Sequence, residues 1–128
     1  MTCFWSGLLG CLHPVDFKSF GLVRKPPIKD FVILLKNKNK ITENVLWQDT
    51  KLTDKFKKEC FEAVNELDVK SINNGYFCST CDPFLILVSE LFKVNIIHNY
   101  CNVNIIYKCI GAGKTIKVKS NKGHFQRS

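Results

Sequence analysis

Residues 3–12 carry apolar side chains on every side of the helix they would form, and this stretch constrains the fold of the whole chain. The apolar side chains are those of Phe4, Trp5, Leu8, Leu9, Cys11 and Leu12. Such a helix must be buried nearly all round, and Pro14 then ends it. Gly7 and Gly10 each cost about 1 kcal/mol relative to alanine in a helix interior, so their presence predicts close packing against another backbone.

The rest of the chain has the size and composition of a single domain. With 128 residues, 45% of them hydrophobic, it can bury one core without disulfide bonds, so we expect one domain over residues 1–128. No apolar run is long enough to cross a membrane, and the apolar start lacks a basic segment and a small-residue cleavage site. The seven cysteines do not have the spacing of a disulfide framework. We therefore expect a soluble, monomeric, cytosolic chain with reduced thiols.

Further helices are predicted by their start signals and by apolar periodicity. Residues 28–36 follow two prolines and favour a helix over a buried strand. Thr53 is a good N-cap, with Asp54 in the first turn, and the apolar face that follows contains Phe56, Cys60, Ala63, Val64 and Leu67. Asp82 before Pro83 predicts another helix that ends at about residue 93.

The period then changes from that of helices to that of strands. Residues 94–98, 102–109 and 114–119 are rich in β-branched side chains, and a glycine turn at 111–113 predicts that the last two strands form a hairpin. Ile116 and Val118 alternate with lysines, which predicts one buried and one solvated face. The fold class is therefore α+β, with N-terminal helices and a small antiparallel sheet in the second half.

Two residues at opposite ends of the chain have the chemistry of a nucleophile and its base. A thiol attacks carbonyls as the thiolate, and both a helix N-terminus and a neighbouring imidazole lower its pKa. Cys3 lies at the predicted helix start and His124 lies near the end of the chain. The amide of Cys3, at that helix start, would be the first donor of an oxyanion hole. The alternative is a buried structural thiol and an unrelated surface histidine.

The segment Thr2-Cys3-Phe4-Trp5-Ser6-Gly7-Leu8-Leu9 resembles the nucleophile motif of papain-like and ovarian-tumour-type (OTU) cysteine proteases. The later order is also similar to the OTU pattern: a glycine–aromatic turn at 75–77, a helix, strands, and Gly123-His124-Phe125. The abundance of Lys, Asn and Ile indicates an A/U-rich coding sequence, as in the papain-like proteases of nidovirus replicase polyproteins, toroviruses among them. The chain departs from the OTU pattern before the cysteine, where it has Met1-Thr2 instead of Asp-Gly.

The resemblance implies a compact protease fold, a Cys3–His124 mechanism without a cofactor, and activity in the host cell cytoplasm. The implied substrates are viral polyprotein junctions and ubiquitin or ubiquitin-like proteins attached to host proteins. Gln126, two residues after the histidine, is the candidate third catalytic residue. The residues that the resemblance places beside the substrate are Trp5, Asn74, Gly75, Tyr76 and Phe125.

Two other patterns favour structural roles over chemistry. Cys78 and Cys81, with Cys101, Cys109 and His98, offer enough ligands for a structural zinc site, but core packing is the preferred interpretation and no metal is predicted. The segment 111–115 ends like a phosphate-binding loop, but it lacks the first glycine and lies between strands. His98 is the fallback base if His124 is not the catalytic histidine.

The net charge of +8 leaves a second class of function open. Of 19 basic residues only Arg24 and Arg127 are arginines, and the lysines are spread along the sequence. Readers of nucleic acid rely on arginine, so this distribution favours a solubilising surface, and we expect nucleic acid not to be a partner. The alternative function is a non-enzymatic viral interaction module that binds RNA or a host protein through its lysine surface.

Overall fold

The computed structural model describes residues 3–121 and 124–127, and the side chain of His124 is outside this description. The α-helices are α1 (Cys3–Gly10), α2 (Ile28–Asn37), α3 (Asp54–Glu66) and α4 (Pro83–Phe92), and two 3-10 helices cover Pro14–Phe20 and Val69–Asn74. The strands are β1 (Val45–Trp47), β2 (Thr50–Lys51), β3 (Val94–Tyr100), β4 (Val103–Cys109), β5 (Lys114–Asn121) and β6 (His124–Arg127).

The predicted helices are confirmed, and their start signals work as expected. The side chain of Thr53 accepts the amide of Phe56, and that of Asp82 accepts the amides of Phe84 and Leu85. Cys60 is buried on the inner face of α3. No helix in the described ranges is long and apolar enough to cross a bilayer.

The sheet differs from the predicted one in two ways. Its strand order is β2-β1-β4-β3-β5-β6, so strands from both halves of the chain contribute to one six-stranded sheet. The predicted hairpin between β4 and β5 is wrong, because β3 lies between them. β3 pairs antiparallel with β4 and parallel with β5, which makes the sheet mixed and not antiparallel.

The glycine turn after β4 crosses beside the start of β3. As a result, β5 pairs with the far side of β3 and not with β4. The amide of Gly113 donates to the carbonyl of Lys93, directly before β3, at 3.1 Å, and Gly111 has a positive φ of 80°. This short connection spans two strand spacings, about 10 Å. β3, with buried Val94, Ile96 and His98, therefore lies inside the sheet, between β4 and β5.

All the helical packing lies on one face of the sheet. The strand residues that face it are buried, and the register aligns them across neighbouring strands: Ile96 with Tyr107 and Ile116, and Ser120 with Phe125. On β5, Ile116 and Val118 are buried while Lys117 and Lys119 are exposed, which confirms the predicted alternation. The sheet therefore has a covered face and an open face.

Helix α1 packs against β6 on the covered face. The ring centroids of Phe4 and Phe125 are 4.7 Å apart, and Arg127 donates to the carbonyl of Gly10. A Cβ built on Gly7 would lie 2.9 Å from the Phe125 ring and 3.2 Å from the Cα of Gln126. The predicted close backbone approach is thus confirmed at Gly7. It is wrong for Gly10, where a Cβ would meet no atom of the described residues within 4 Å.

A buried carboxylate joins α4 to the segment before β1. Glu90 accepts the Thr42 hydroxyl at 2.6 Å and the amides of Glu43 and Asn44 at 2.9 Å. Burial alone raises the pKa of Glu90, but the hydrogen bonds from Thr42, Asn44 and Glu43 outweigh burial and lower the pKa to about 2. The ionised form therefore stabilises the fold.

We expect Glu90 to make stability dependent on pH on the acid side. Since its folded pKa lies below the ordinary 4.5, its stabilisation is complete above that pH and is lost as the pH falls toward 2. Glu90→Gln should lower the free energy of unfolding at neutral pH by about 2 kcal/mol and weaken its acid dependence. Urea unfolding measures both effects, with exposed Glu59→Gln as the control. Equal behaviour of the two variants would contradict this role.

Gly7 and Gly10 provide a matched pair of variants for the α1–β6 contact. Gly7→Ala should lower the free energy of unfolding by about 1–3 kcal/mol, because the methyl group collides with a buried ring and with backbone. Gly10→Ala should be neutral or stabilising by up to about 1 kcal/mol, since helix propensity improves without a clash. Thermal unfolding measures the stability of both variants. A destabilised Gly10→Ala together with a neutral Gly7→Ala would contradict this packing.

Candidate functional site

The start of α1 lies beside the start of β6. The contacts between the two elements follow the same order along both: Phe4 with Phe125, then Gly7 with Gln126, then Gly10 with Arg127. The residues directly before the first contact are Cys3 and His124, so the fold brings together the two ends of the chain that carry the predicted nucleophile and base. The imidazole of His124 is outside the described residues, and its distance from the thiol stays a prediction.

Cys3 is the first residue of α1, and its side chain is half-buried against the edge of the core. The amides of the first helical turn have no partners within the helix, so a helix start stabilises negative charge beside it. Phe4 and Trp5 behind Cys3 are buried and fix the orientation of this first turn. The location therefore combines a partly accessible thiol with a rigid support.

The loop at residues 75–81 covers the same end of α1. The ring of Tyr76 packs on Phe4, Trp5 and Phe84, with centroid distances of 4.5, 5.4 and 5.4 Å. Its hydroxyl donates to the carboxylate of Asp82 at 2.9 Å. Burial raises the pKa of Tyr76, and the neighbouring Asp82 raises it further, so Tyr76 acts as a neutral donor.

Asp82 holds this loop and α4 together. One carboxylate oxygen accepts the amides of Phe84 and Leu85, and the other accepts the Tyr76 hydroxyl and both the amide and hydroxyl of Ser79. Burial raises the pKa of Asp82 above its ordinary value, and the hydrogen bonds from Ser79, Tyr76, Phe84 and Leu85 offset this only in part. The backbone amide of Asp82 in turn donates to the hydroxyl of Tyr107 at 2.9 Å.

Thr80 provides a second attachment of the loop to the sheet. Its carbonyl accepts the indole N–H of Trp47 and the hydroxyl of Tyr107, each at 3.1 Å. Together with Asp82, these bonds fix the backbone on both sides of Phe77, whose side chain is 90% exposed. An apolar ring so exposed on a well-anchored loop is available for contact with a substrate.

The residues predicted to bind substrate fall into two groups. Trp5 is fully buried and Phe125 is 5% exposed, so both belong to the core in this structure and support the site from behind. Asn74 and Gly75 are exposed, and Tyr76 is half-buried. The predicted substrate-binding residues that solvent can reach are therefore Asn74, Gly75 and Tyr76.

Gln126 lies on the open face of the sheet. Its neighbour Phe125 points to α1, and side chains alternate along a strand, so Gln126 points the other way. It is exposed and helps to line a cavity of about 280 Å³ together with Asn99, Cys101 and Asn121. The imidazole of His124 is outside the described residues, so its orientation by Gln126 stays a prediction.

The fallback base, His98, is part of the core. It is fully buried in the middle of β3, where its Nε2 lies 2.7 Å from the hydroxyl of Ser120. Burial lowers the pKa of His98, so the ring is neutral. Its ring packs on that of Phe125, with the centroids 5.8 Å apart.

The cysteines of the alternative zinc site are separated in the fold. Burial raises the pKa of Cys60 to about 12 and that of Cys81 to about 11, and it also raises the pKa of Cys78. Cys101 and Cys109 lie at opposite ends of β4, about 20 Å apart along the strand. No three His, Cys, Asp or Glu side chains within the described part of the chain form a group that could hold a metal ion.

Sequence reasoning missed two features of this site. Asp82 was recognised only as a helix cap, although it also anchors the loop; its buried partners Tyr76 and Tyr107 are distant from each other in sequence. Phe77 was read as part of a turn motif, and no local signal distinguishes an exposed phenylalanine from a core one. Both roles depend on long-range contacts.

The fold and the site define an α+β chain with a thiol at the start of a buried helix. Comparison with protein-family models, with curated proteins and with solved structures found no match for this chain. The resemblance to papain-like and OTU proteases therefore rests on the residues quoted for it.

The anchoring role of Asp82 can be tested against an ordinary helix cap. Asp82→Ala should lower the free energy of unfolding by about 3 kcal/mol or more, since it leaves helix and loop donors unsatisfied in the interior. Thr53→Ala removes a single exposed capping bond of α3 and should cost about 1 kcal/mol. Denaturant unfolding gives both values, and hydrogen exchange should rise in residues 76–81 only for Asp82→Ala. Equal losses of unfolding free energy in the two variants, with no rise in hydrogen exchange at residues 76–81, would contradict the anchoring role of Asp82.

Proposed function

We propose that this protein is a viral cysteine protease with isopeptidase activity, in which Cys3 is the nucleophile and His124 the general base. The observation that carries the proposal is the packing of α1 on β6, because it places the start of the helix beside the start of the strand. A nucleophile and base drawn from the two ends of a chain need a contact of this kind. The sequence motif and the half-buried thiol support the same proposal.

In the proposed reaction, His124 accepts the proton of the Cys3 thiol, and the thiolate attacks the scissile carbonyl carbon. The backbone amides at the start of α1 stabilise the developing oxyanion. The protonated imidazole then gives its proton to the leaving amine, and the carbonyl stays bound to sulfur as a thioester. Water, deprotonated by the imidazole, attacks the thioester and releases the carboxylic acid and the thiol.

The loop at residues 75–81 is the proposed wall of the substrate cleft. Asn74, Gly75 and Phe77 are exposed, and Tyr76 joins this loop to the aromatic rings behind Cys3. The proposed substrates are ubiquitin or ubiquitin-like modifiers on host proteins and junctions of a viral polyprotein, in the host cell cytoplasm. No cofactor enters the proposed chemistry.

A ubiquitin probe with a C-terminal electrophile tests this function. The wild-type protein should form a covalent adduct, and Cys3→Ala should form none, because the thioether forms at the nucleophile. Cys101→Ala is the matched control, since Cys101 is the exposed thiol at the far end of β3 and should not affect the adduct. Intact mass spectrometry reads the result.

Two outcomes would count against the proposal. The first is loss of the adduct in Cys101→Ala but not in Cys3→Ala, which would indicate non-specific alkylation of an exposed thiol. The second is a wild-type protein that forms no adduct and cleaves neither ubiquitin-derived nor viral-junction substrates.

His124→Ala should abolish cleavage while circular dichroism shows an intact fold.

A further inference from the structure

The open face of the sheet is a second surface of the molecule, on the side opposite α1 and Cys3. No described helix covers it, and its residues come from β3, β4, β5 and β6. In register across the central strands lie Ile97 with Ile106 and Lys117, and Asn99 with Asn104 and Lys119. We call these six residues the open-face patch.

The charge of the open-face patch is positive and not neutralised. Lys117 and Lys119 are both exposed on β5, and strand geometry places them about 7 Å apart on the same face. No ion pair among the described residues involves either of them. By contrast, Lys108 at the rim of this face pairs with Asp49 at 3.3 Å. Two cations that form no ion pair with the described residues suit a ligand with repeated negative charges.

Amide and apolar groups adjoin these cations. The side chain of Asn99 donates to that of Asn104 at 2.9 Å and accepts the amide of Asn102 at 3.2 Å, which leaves N–H groups of both side-chain amides as donors. Ile97 and Ile106 lie side by side, and Ile106 is 38% exposed. The 280 Å³ cavity that contains Asn99, Lys119 and Gln126 continues the patch toward the sheet edge.

We propose that the open-face patch binds single-stranded nucleic acid. The lysines contact phosphates, the isoleucines provide an apolar platform, and the amides bond to the exposed edges of unpaired bases. An acidic peptide would need the cations but not the amide rows and the apolar centre. The patch has no arginine and no aromatic ring, so binding should be salt-dependent and tolerant of base sequence.

The sequence argued against a nucleic-acid partner because the lysines are spread along it. The fold changes that argument, since strand alternation and β3–β5 pairing gather two of them beside polar amides. This function goes beyond the proposed protease activity and uses the other face of the sheet. Either function can therefore fail without the other.

Fluorescence anisotropy with a short labelled oligouridine tests the proposal. The salt slope of Lys117→Gln/Lys119→Gln should be smaller than that of wild type by about 1.4, as for two lost phosphate contacts, so the affinity advantage of wild type should be about sevenfold larger near 50 mM than near 200 mM salt. Lys55→Gln/Lys58→Gln is the matched control, because it removes the same charge from exposed positions on α3. This control should retain most of the wild-type affinity.

Three results would overturn the proposal. The first is no binding of the wild type at low salt, and the second is an equal loss in both double variants, which would show a net-charge effect without a site. The third is displacement of the oligouridine by an equal concentration of polyglutamate, which would indicate an acidic protein partner.

A labelled oligodeoxythymidine measured in parallel shows whether the 2′-hydroxyl contributes to binding. The rate of substrate cleavage by the same double variants should equal that of wild type.

Discussion

The contact on which the rest of the structure depends is that between α1 and β6. Gly7 allows the helix backbone to approach the strand, and Phe4 fills the space between helix, strand and loop. Because α1 is apolar over most of its surface and buries Phe4, Trp5, Leu8 and Leu9, it is stable only when other elements enclose it. Its burial thus joins the first and last described segments of the chain, and the candidate site forms where these segments begin.

A second constraint acts on the loop that borders this site. The carboxylate of Asp82 is removed from solvent, which is costly, and five donors from the loop and α4 compensate for that cost. An anchored loop can hold an exposed ring such as Phe77 in one position without burying it. The stability of the interior is in this way linked to the shape of the surface beside Cys3.

The sheet separates two kinds of chemistry. Its covered face carries the core and the candidate thiol site, and its open face carries lysines, asparagines and isoleucines that none of the described helices covers. Neither surface was visible from composition, since the open-face patch joins residues of three strands. Lys117 and Lys119 differ from the other lysines of the chain by their position in the sheet, and not by any local sequence signal.

The sequence by itself determined the elements whose causes are local. The caps at Thr53 and Asp82, the buried helix α1 and the alternation along β5 follow from side-chain geometry within a few residues, and the structure contains all of them. The strand order was decided only by the tertiary structure, because strand pairing joins residues that are distant in sequence. The same holds for the attachment of the 75–81 loop to Trp47 and Tyr107 and for the packing of Trp5 on Tyr76 and Phe84, since these contacts join residues distant in sequence that only the folded chain brings together.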